Sequence, residues 1–170
     1  MRVTLIAAVS SDGFISRGHG IPWHLPEDVR QFRTWCEGKW LIVGRRTFAE
    51  MQGWFRPGQT PVVVTRQQTY EVPGGHAAGS MDAALAIART AGADECGVIG
   101  GGGVYAEAMP FADTLILTRV DTLLLQGVAF PPIIESEWRT LSLRHYDADA
   151  VHAYSFSIRR MDRIAAIAAH

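Results

Sequence analysis

The chain has 170 residues, 48% of them hydrophobic and 19% charged, which suits one folded domain with a true core and excludes a disordered polymer. Sixteen Lys and Arg against seventeen Asp and Glu leave a net charge of −1, so no overall positive field draws nucleic acid or an anionic membrane. No apolar run approaches the roughly 20 residues that span a bilayer, and Cys36 and Cys96 stand alone without a CxxC pair, as buried thiols of a reducing cytoplasm would.

Residues 3–9 form a continuous apolar run, the pattern of a strand covered on both faces. Residues 10–20, rich in Ser and Gly, are expected to leave that strand as a long mobile loop. Residues 21–26 are too broken by proline for regular structure. Pro26 suits the first position of a helix and Glu27 and Asp28 suit its positive end; with Val29, Phe32, Arg33 and Cys36 at helical spacing, the pattern predicts a helix over 26–36. A short strand follows at 40–43 and a short helix at 45–51. Residues 61–65 read as another buried strand, and 81–90, alanine-rich and apolar at helical spacing, as a helix. Residues 97–99 run as a strand into Gly100-Gly101-Gly102-Gly103, with a short helix at 104–109 and a strand at 114–120. From 138–144 and 151–160 the period loosens to alternation, as in an antiparallel hairpin, and 164–170 reads as a frayed or short helical tail. Strands alternating with helices before a terminal antiparallel pair imply an α/β sandwich around a mixed central sheet, in a single domain.

Three strand-to-helix junctions carry chemistry. The four-glycine run allows close backbone approach to a phosphate, but it lacks the GxGxxG spacing and following acid of the Rossmann fingerprint. The glycines alone leave open a phosphate cradle or a plain tight turn. Gly44-Arg45-Arg46-Thr47 and Thr65-Arg66 are the other two junctions. Each arginine taken singly reads as a solvated surface residue. Three strand ends of one small sheet would converge on one edge, however, and together these side chains suggest a nucleotide with several phosphates, Arg66 being available for an extra one. Asp28, near Trp23 and Phe32, is a lone carboxylate: burial would raise its pKa and the helix end would lower it, so sequence does not fix the direction. From the residues alone a helix-end charge is the simpler reading. The six histidines show no metal spacing and no nucleophile beside them, so they read as structural, and no metal site is expected.

The segments 5–9, Ile21-Pro22-Trp23-His24-Leu25-Pro26-Glu27-Asp28, Gly44-Arg45-Arg46-Thr47, Val98-Ile99-Gly100-Gly101-Gly102, Tyr105 and Leu117-Thr118 are collinear and together resemble the dihydrofolate reductase family over residues 1–162, with 163–170 as a tail. The resemblance implies a three-layer α/β fold, a mixed central sheet with a C-terminal antiparallel hairpin and flanking helices. It implies an NADPH-dependent oxidoreductase that delivers hydride to C6 of a 7,8-dihydropterin while N5 gains a proton, in one-carbon metabolism. The catalytic group would be Asp28, Trp23 and Thr118: Asp28 on the pterin 2-amino group and N3, Thr118 supporting that carboxylate, Trp23 ordering nearby water. Ile6, Ala7, Val29, Phe32, Met51, Ile99 and Tyr105 would complete the substrate pocket. The cofactor would meet Ala8, Ile15, Gly20, Gly44, Arg45, Arg46, Thr47, Thr65, Arg66 and Gly79. On its other side it would meet Ile99, Gly100, Gly101, Gly102, Gly103, Val104 and Tyr105, and Arg66 would favour NADPH over NADH. Residues 10–20 would be the lid. A cytoplasmic monomer or weak homodimer follows as the expectation, with a small-molecule dihydropterin as partner and neither nucleic acid nor membrane.

Three departures from the family pattern bear on substrate and lid. Gln59 stands where these reductases place the arginine that grips the folate α-carboxylate, in a slightly longer loop that also carries Trp54 and Arg56. Ser16 replaces a lid glycine, and Val128 replaces an acid that latches the closed lid. A pterin without the benzoyl-glutamate tail would not need that arginine, so dihydromethanopterin and dihydrofolate both stand as substrates. The other readings are a pyrimidine reductase of riboflavin biosynthesis, which shares an opening like Ser11-Asp12-Gly13-Phe14-Ile15, and a non-catalytic pterin- or nucleotide-binding module.

Overall fold

A computed structural model describes residues 1–67 and 69–164 of the chain. In chain order the described elements are β1 (Arg2–Ser10), β2 (Phe14–Ser16), α1 (Pro26–Cys36), β3 (Trp40–Gly44), α2 (Arg45–Glu50), β4 (Thr60–Val64), β5 (His76–Ala78), α3 (Met81–Thr90), β6 (Glu95–Val98), α4 (Gly102–Ala108), β7 (Thr114–Val120), β8 (Val128–Ala129), β9 (Trp138–Tyr146) and β10 (Phe156–Arg163). One eight-stranded sheet runs in the order β5-β4-β3-β6-β1-β7-β10-β9. Neighbours from β5 to β7 are parallel, whereas β10 pairs antiparallel with both β7 and β9. β2 and β8 form a separate two-stranded ribbon.

Strand alternation sorts the apolar residues into two layers. Val3, Leu5, Ile42 and Val62 face α3 and α4, meeting Ala84, Leu85, Val104 and Ala108 in one core cluster. Ile6, Leu41, Val43 and Val63 face the opposite way, against Cys36 of α1 and Phe48 of α2. A third cluster of Trp23, Leu25, Phe156 and Ile158 fills the end beside the antiparallel strands. Leu5, Leu41 and Leu85 are each fully enclosed, and truncating any of them to Ala would cost about 2–5 kcal/mol.

α1, α3 and β7 run over the residues their periodicity assigns. Elsewhere the structure differs from expectation for local reasons. The segment 10–20 is not loop throughout: β2 pairs with β8, Phe130 N donates to the Gly13 carbonyl at 2.9 Å, and Asp12 accepts from Leu124 N at 3.1 Å and Leu125 N at 2.8 Å. Such a short strand has no readable period. β5 escapes for the same reason, two of its residues being alanine. The second strand of the terminal hairpin starts at Phe156 rather than Val151, because the Asp149 carboxylate accepts from Val151 N at 2.9 Å and His152 N at 2.8 Å and turns the chain there. α4 opens at Gly102, two residues before the expected start. β10 continues through Arg163, whose guanidinium stacks 4.2 Å over the Trp138 ring and donates to the Ala112 carbonyl at 2.8 Å. Of the expected tail, residues 165–170 lie outside the described residues. Among the described residues no helix is long and apolar enough to cross a membrane.

Candidate active site

Parallel strands present their carboxyl ends on one edge of the sheet, where α/β proteins bind ligands. Register sets those ends side by side: Gly44 pairs with Val64, and Val64 with Ala78. Thr65 N then donates to the Ala78 carbonyl at 2.9 Å, and Gly44 N to the Gly100 carbonyl at 2.7 Å. Gly44, Thr65, Gly79 and Gly100 therefore share one rim, the convergence that the three junction motifs suggest. The rim is packed closely against its glycines, most of all at Gly102. A Cβ on Gly44 would sit 3.0 Å from Val104, one on Gly101 3.1 Å from the Thr47 hydroxyl, and one on Gly102 only 2.5 Å from Val128. Arg45, Arg46 and Arg66 stand exposed along the rim, as does Gly103, which has open space beside it. Ile15 reaches to 3.9 Å from the place a Gly102 Cβ would take, so the β2–β8 ribbon lies over this end of the rim.

Next to the rim a cavity of about 420 Å³ opens between β1, α1 and β7. Ile6, Ala7, Asp28, Val29, Phe32, Ile99, Tyr105 and Thr118 line it, and so does Ala8. Two residues of the expected site do not. Met51, at the C-cap of α2, packs into the Phe48 cluster, and Trp23 packs behind the cavity with Leu25 and Phe156. The Trp23 indole N–H is buried without a hydrogen-bond partner among the described residues, so this donor has capacity for a further acceptor.

Asp28 is the third residue of α1. Thr118 Oγ1, on β7, donates to its Oδ1 at 2.5 Å, and its Oδ2 accepts no hydrogen bond from the described residues. Burial pushes the carboxyl above the usual range, a shift that the Thr118 bond only partly offsets. Of the two directions the sequence left open, the upward one holds, with burial as its cause. The cavity carboxylate is therefore short of donors and would gain from a ligand that brings two N–H groups. Beside it, Tyr105 Oη donates to the Ile6 carbonyl at 2.7 Å. Pairing of β1 with β6 ends at Leu5 and Val98, and the phenol serves the carbonyl just past that end. Burial holds the phenol well above its ordinary range.

The orientation of α1 comes from far along the chain. Leu25 supplies no side-chain cap; instead Glu27 N donates to His152 Nε2 at 3.2 Å, while His152 Nδ1 lies 3.0 Å from Asp149 Oδ1. The acceptor role of Nε2 places the ring proton on Nδ1, toward Asp149. Gln31 Nε2 donates to Tyr146 Oη at 2.8 Å, tying the helix to β9. His152 is thus structural, as the absence of metal spacing implied, but its capping role had no sequence signal beyond the turn-forming Asp149. Sequence reasoning also missed Gln31, Ile116, Arg144 and Arg160 in the cavity wall. Alternation along β9 and β10 was the available cue.

The structure thus sets a glycine- and arginine-lined rim of a mixed α/β sheet beside an apolar cavity floored by one buried carboxylate. The family model for dihydrofolate reductase matches residues 2–163. Dihydrofolate reductase type 3 of Salmonella typhimurium is 39% identical over 163 residues, covering 96% of this chain and 99% of the relative. Dihydrofolate reductase of Mycobacterium tuberculosis strain H37Rv is 39% identical over 141 residues, covering 81% and 84%. A solved dihydrofolate reductase from Enterococcus faecalis, complexed with NADP(H) and RAB-propyl, superposes with a TM-score of 0.84 at 28% identity, over 95% of this chain and 96% of that one. The chain belongs to the dihydrofolate reductase family. Membership does not favour the riboflavin-type or non-catalytic readings.

Proposed function

We propose that this chain catalyses the NADPH-dependent reduction of 7,8-dihydrofolate to its tetrahydro form. The observation that carries the reading is the buried Asp28 carboxylate, braced by Thr118 in an apolar cavity that adjoins the glycine rim. NADPH supplies a hydride to C6 of the pterin when bound. Arg45, Arg46, Thr47, Thr65 and Arg66 hold its phosphates together with the amides of Gly100–Gly103, while Ala8, Ile99 and Tyr105 border its nicotinamide. Asp28 accepts from the pterin 2-amino group and N3, fixing the ring plane and favouring the proton at N5. Thr118 aims the carboxylate. Ile6, Phe32 and Ile99 exclude bulk water, which strengthens that pairing, and the Trp23 N–H orders water behind the acid.

Gln59 keeps dihydromethanopterin as the second reading. Its Nε2 donates to the Cys36 carbonyl at 3.1 Å and its Oε1 accepts from Arg56 N at 2.8 Å, so the side chain clips its own loop. A neutral amide so engaged is a poor partner for the folate α-carboxylate. Dihydrofolate takes precedence because the matched relatives are dihydrofolate reductases along most of their length. Steady-state NADPH oxidation with each substrate tests both. Oxidation with neither overturns the proposal, and a strong preference for dihydrofolate at ordinary affinity ends the methanopterin reading. Gln59→Arg should tighten folate several-fold while leaving NADPH affinity unchanged.

A further inference from the structure

We infer that the end of the cavity under the antiparallel strands is an anion subsite, in which Arg144 and Arg160 with Ser142 take the carboxylate or phosphate of a small-molecule ligand. The register assembles it. Ser142 pairs with Arg160, and Arg144 with Ile158, and residues two apart on a strand share a face. All four side chains therefore project toward α1, and all four line the cavity that Asp28 and Thr118 line. The two arginines are diagonal neighbours, about 7–8 Å apart or less at Cβ, a span that an oxyanion can bridge.

Among the described residues neither arginine has a direct ion pair, although Arg160 feels the Asp162 carboxylate on its own strand at longer range. Arg2, Arg30, Arg159 and Arg163 each sit against a carboxylate at 2.6–3.2 Å. Arg144 and Arg160 have none within 4.0 Å among the described residues, and the Arg160 Nε is buried without a hydrogen-bond partner. The acids facing this end are engaged elsewhere: Asp162 with Arg2 and Thr114, Glu27 with Arg30 and Gln31, Asp28 with Thr118. Ile116, Ile158 and Trp35 supply low-dielectric walls, where a guanidinium donor without an acceptor is unfavourable and a forked pair to an oxyanion is strong. The subsite stands whether or not the dihydropterin reading holds; only the folate arm of its test depends on that reading.

The test uses the full chain saturated with NADP+, so that the rim is already filled. Inorganic phosphate against chloride at matched ionic strength should give a saturable rise in Tm. Arg144→Gln and Arg160→Gln should each weaken that response tenfold or more, whereas Arg89→Gln on distant α3 should not. Arg144 is exposed, so its variant keeps the test open should Arg160→Gln fold poorly. A parallel arm compares folate with 6-methylpterin. If Arg144→Gln weakens folate alone, the anion is the ligand's own carboxylate; if it weakens phosphate alone, the anion is a separate one. No saturable phosphate response together with an unchanged folate to 6-methylpterin ratio overturns the subsite, as does a phosphate response undiminished in both variants with that ratio also unchanged.

Discussion

Replacing Asp28 by Asn alters one atom of the cavity wall. The amide oxygen can still accept from Thr118, but the second oxygen becomes an NH2 group, and the pterin N–H that would have met that oxygen then faces a donor. Hydrogen bonds to a charged acceptor are worth about 1.5–3 kcal/mol, and 1.36 kcal/mol is tenfold in rate. Ring anchoring alone therefore predicts a fall in kcat/KM of roughly 10- to 150-fold at neutral pH, read from initial rates of NADPH oxidation. The deficit should shrink at acidic pH, where the dihydropterin already carries its proton. Stability should move the other way. Burial raises the folded carboxyl above the ordinary aspartate value that it keeps in the unfolded chain, so its contribution to stability is full below that ordinary value, where folded and unfolded states both hold the proton. It is lost as pH rises from there through the raised folded value. The ligand-free Asn variant should be at least as stable as the parent at neutral pH, and the difference should close on acidification. Turnover unchanged at every pH, or a variant clearly less stable at neutral pH, would refute the reasoning.

Three further substitutions probe the cavity wall, the start of α1 and the ribbon over the rim. Tyr105→Phe leaves the Ile6 carbonyl without its phenol donor and should lower stability by about 1–3 kcal/mol, measured by urea unfolding. His152→Ala removes the acceptor for Glu27 N and should cost about 1 kcal/mol, as other lost helix caps do; a Tm equal to the parent's would show that the cap contributes nothing. Gly127 has φ +142°, and a Cβ there would fall 2.0 Å from the Ser16 carbonyl oxygen. Gly127→Ala should therefore break the β2–β8 pairing, seen as faster hydrogen exchange at residues 14–16, and should weaken NADPH binding while the eight-stranded sheet keeps its protection.

What the sequence made legible, and what it hid, divides by contact distance along the chain. α1 and α3 carry their own periodicity and end signals, so their bounds could be read directly. The glycine and arginine junctions were legible as chemistry because each is a contiguous motif, and only their convergence required the sheet. From the residues alone Asp28 reads as a helix-end charge, and only the family resemblance pairs it with Thr118, 90 positions away, because that contact leaves no local trace. Nor does the contact of His152, 125 positions from the amide it caps. Met51 stands one layer back from the expected place. The resemblance puts it in the pocket, and at the end of α2 it packs into the Phe48 cluster, whose members Ile6 and Ile99 themselves line the cavity.

These long-range contacts also explain how the fold tolerates a carboxylate where burial opposes its charge. Such a group tends to escape to water if its element can tilt. α1 is held against tilting at both ends of its first two turns. His152 grips the Glu27 amide, and Gln31 bridges Glu27 to Tyr146 on β9. Each grip comes from the C-terminal hairpin, the one antiparallel part of the sheet. The hairpin thus does more than complete the sheet edge: it keeps Asp28 inside the cavity, and the strain of an underserved carboxylate is what a ligand bearing two N–H donors relieves on binding.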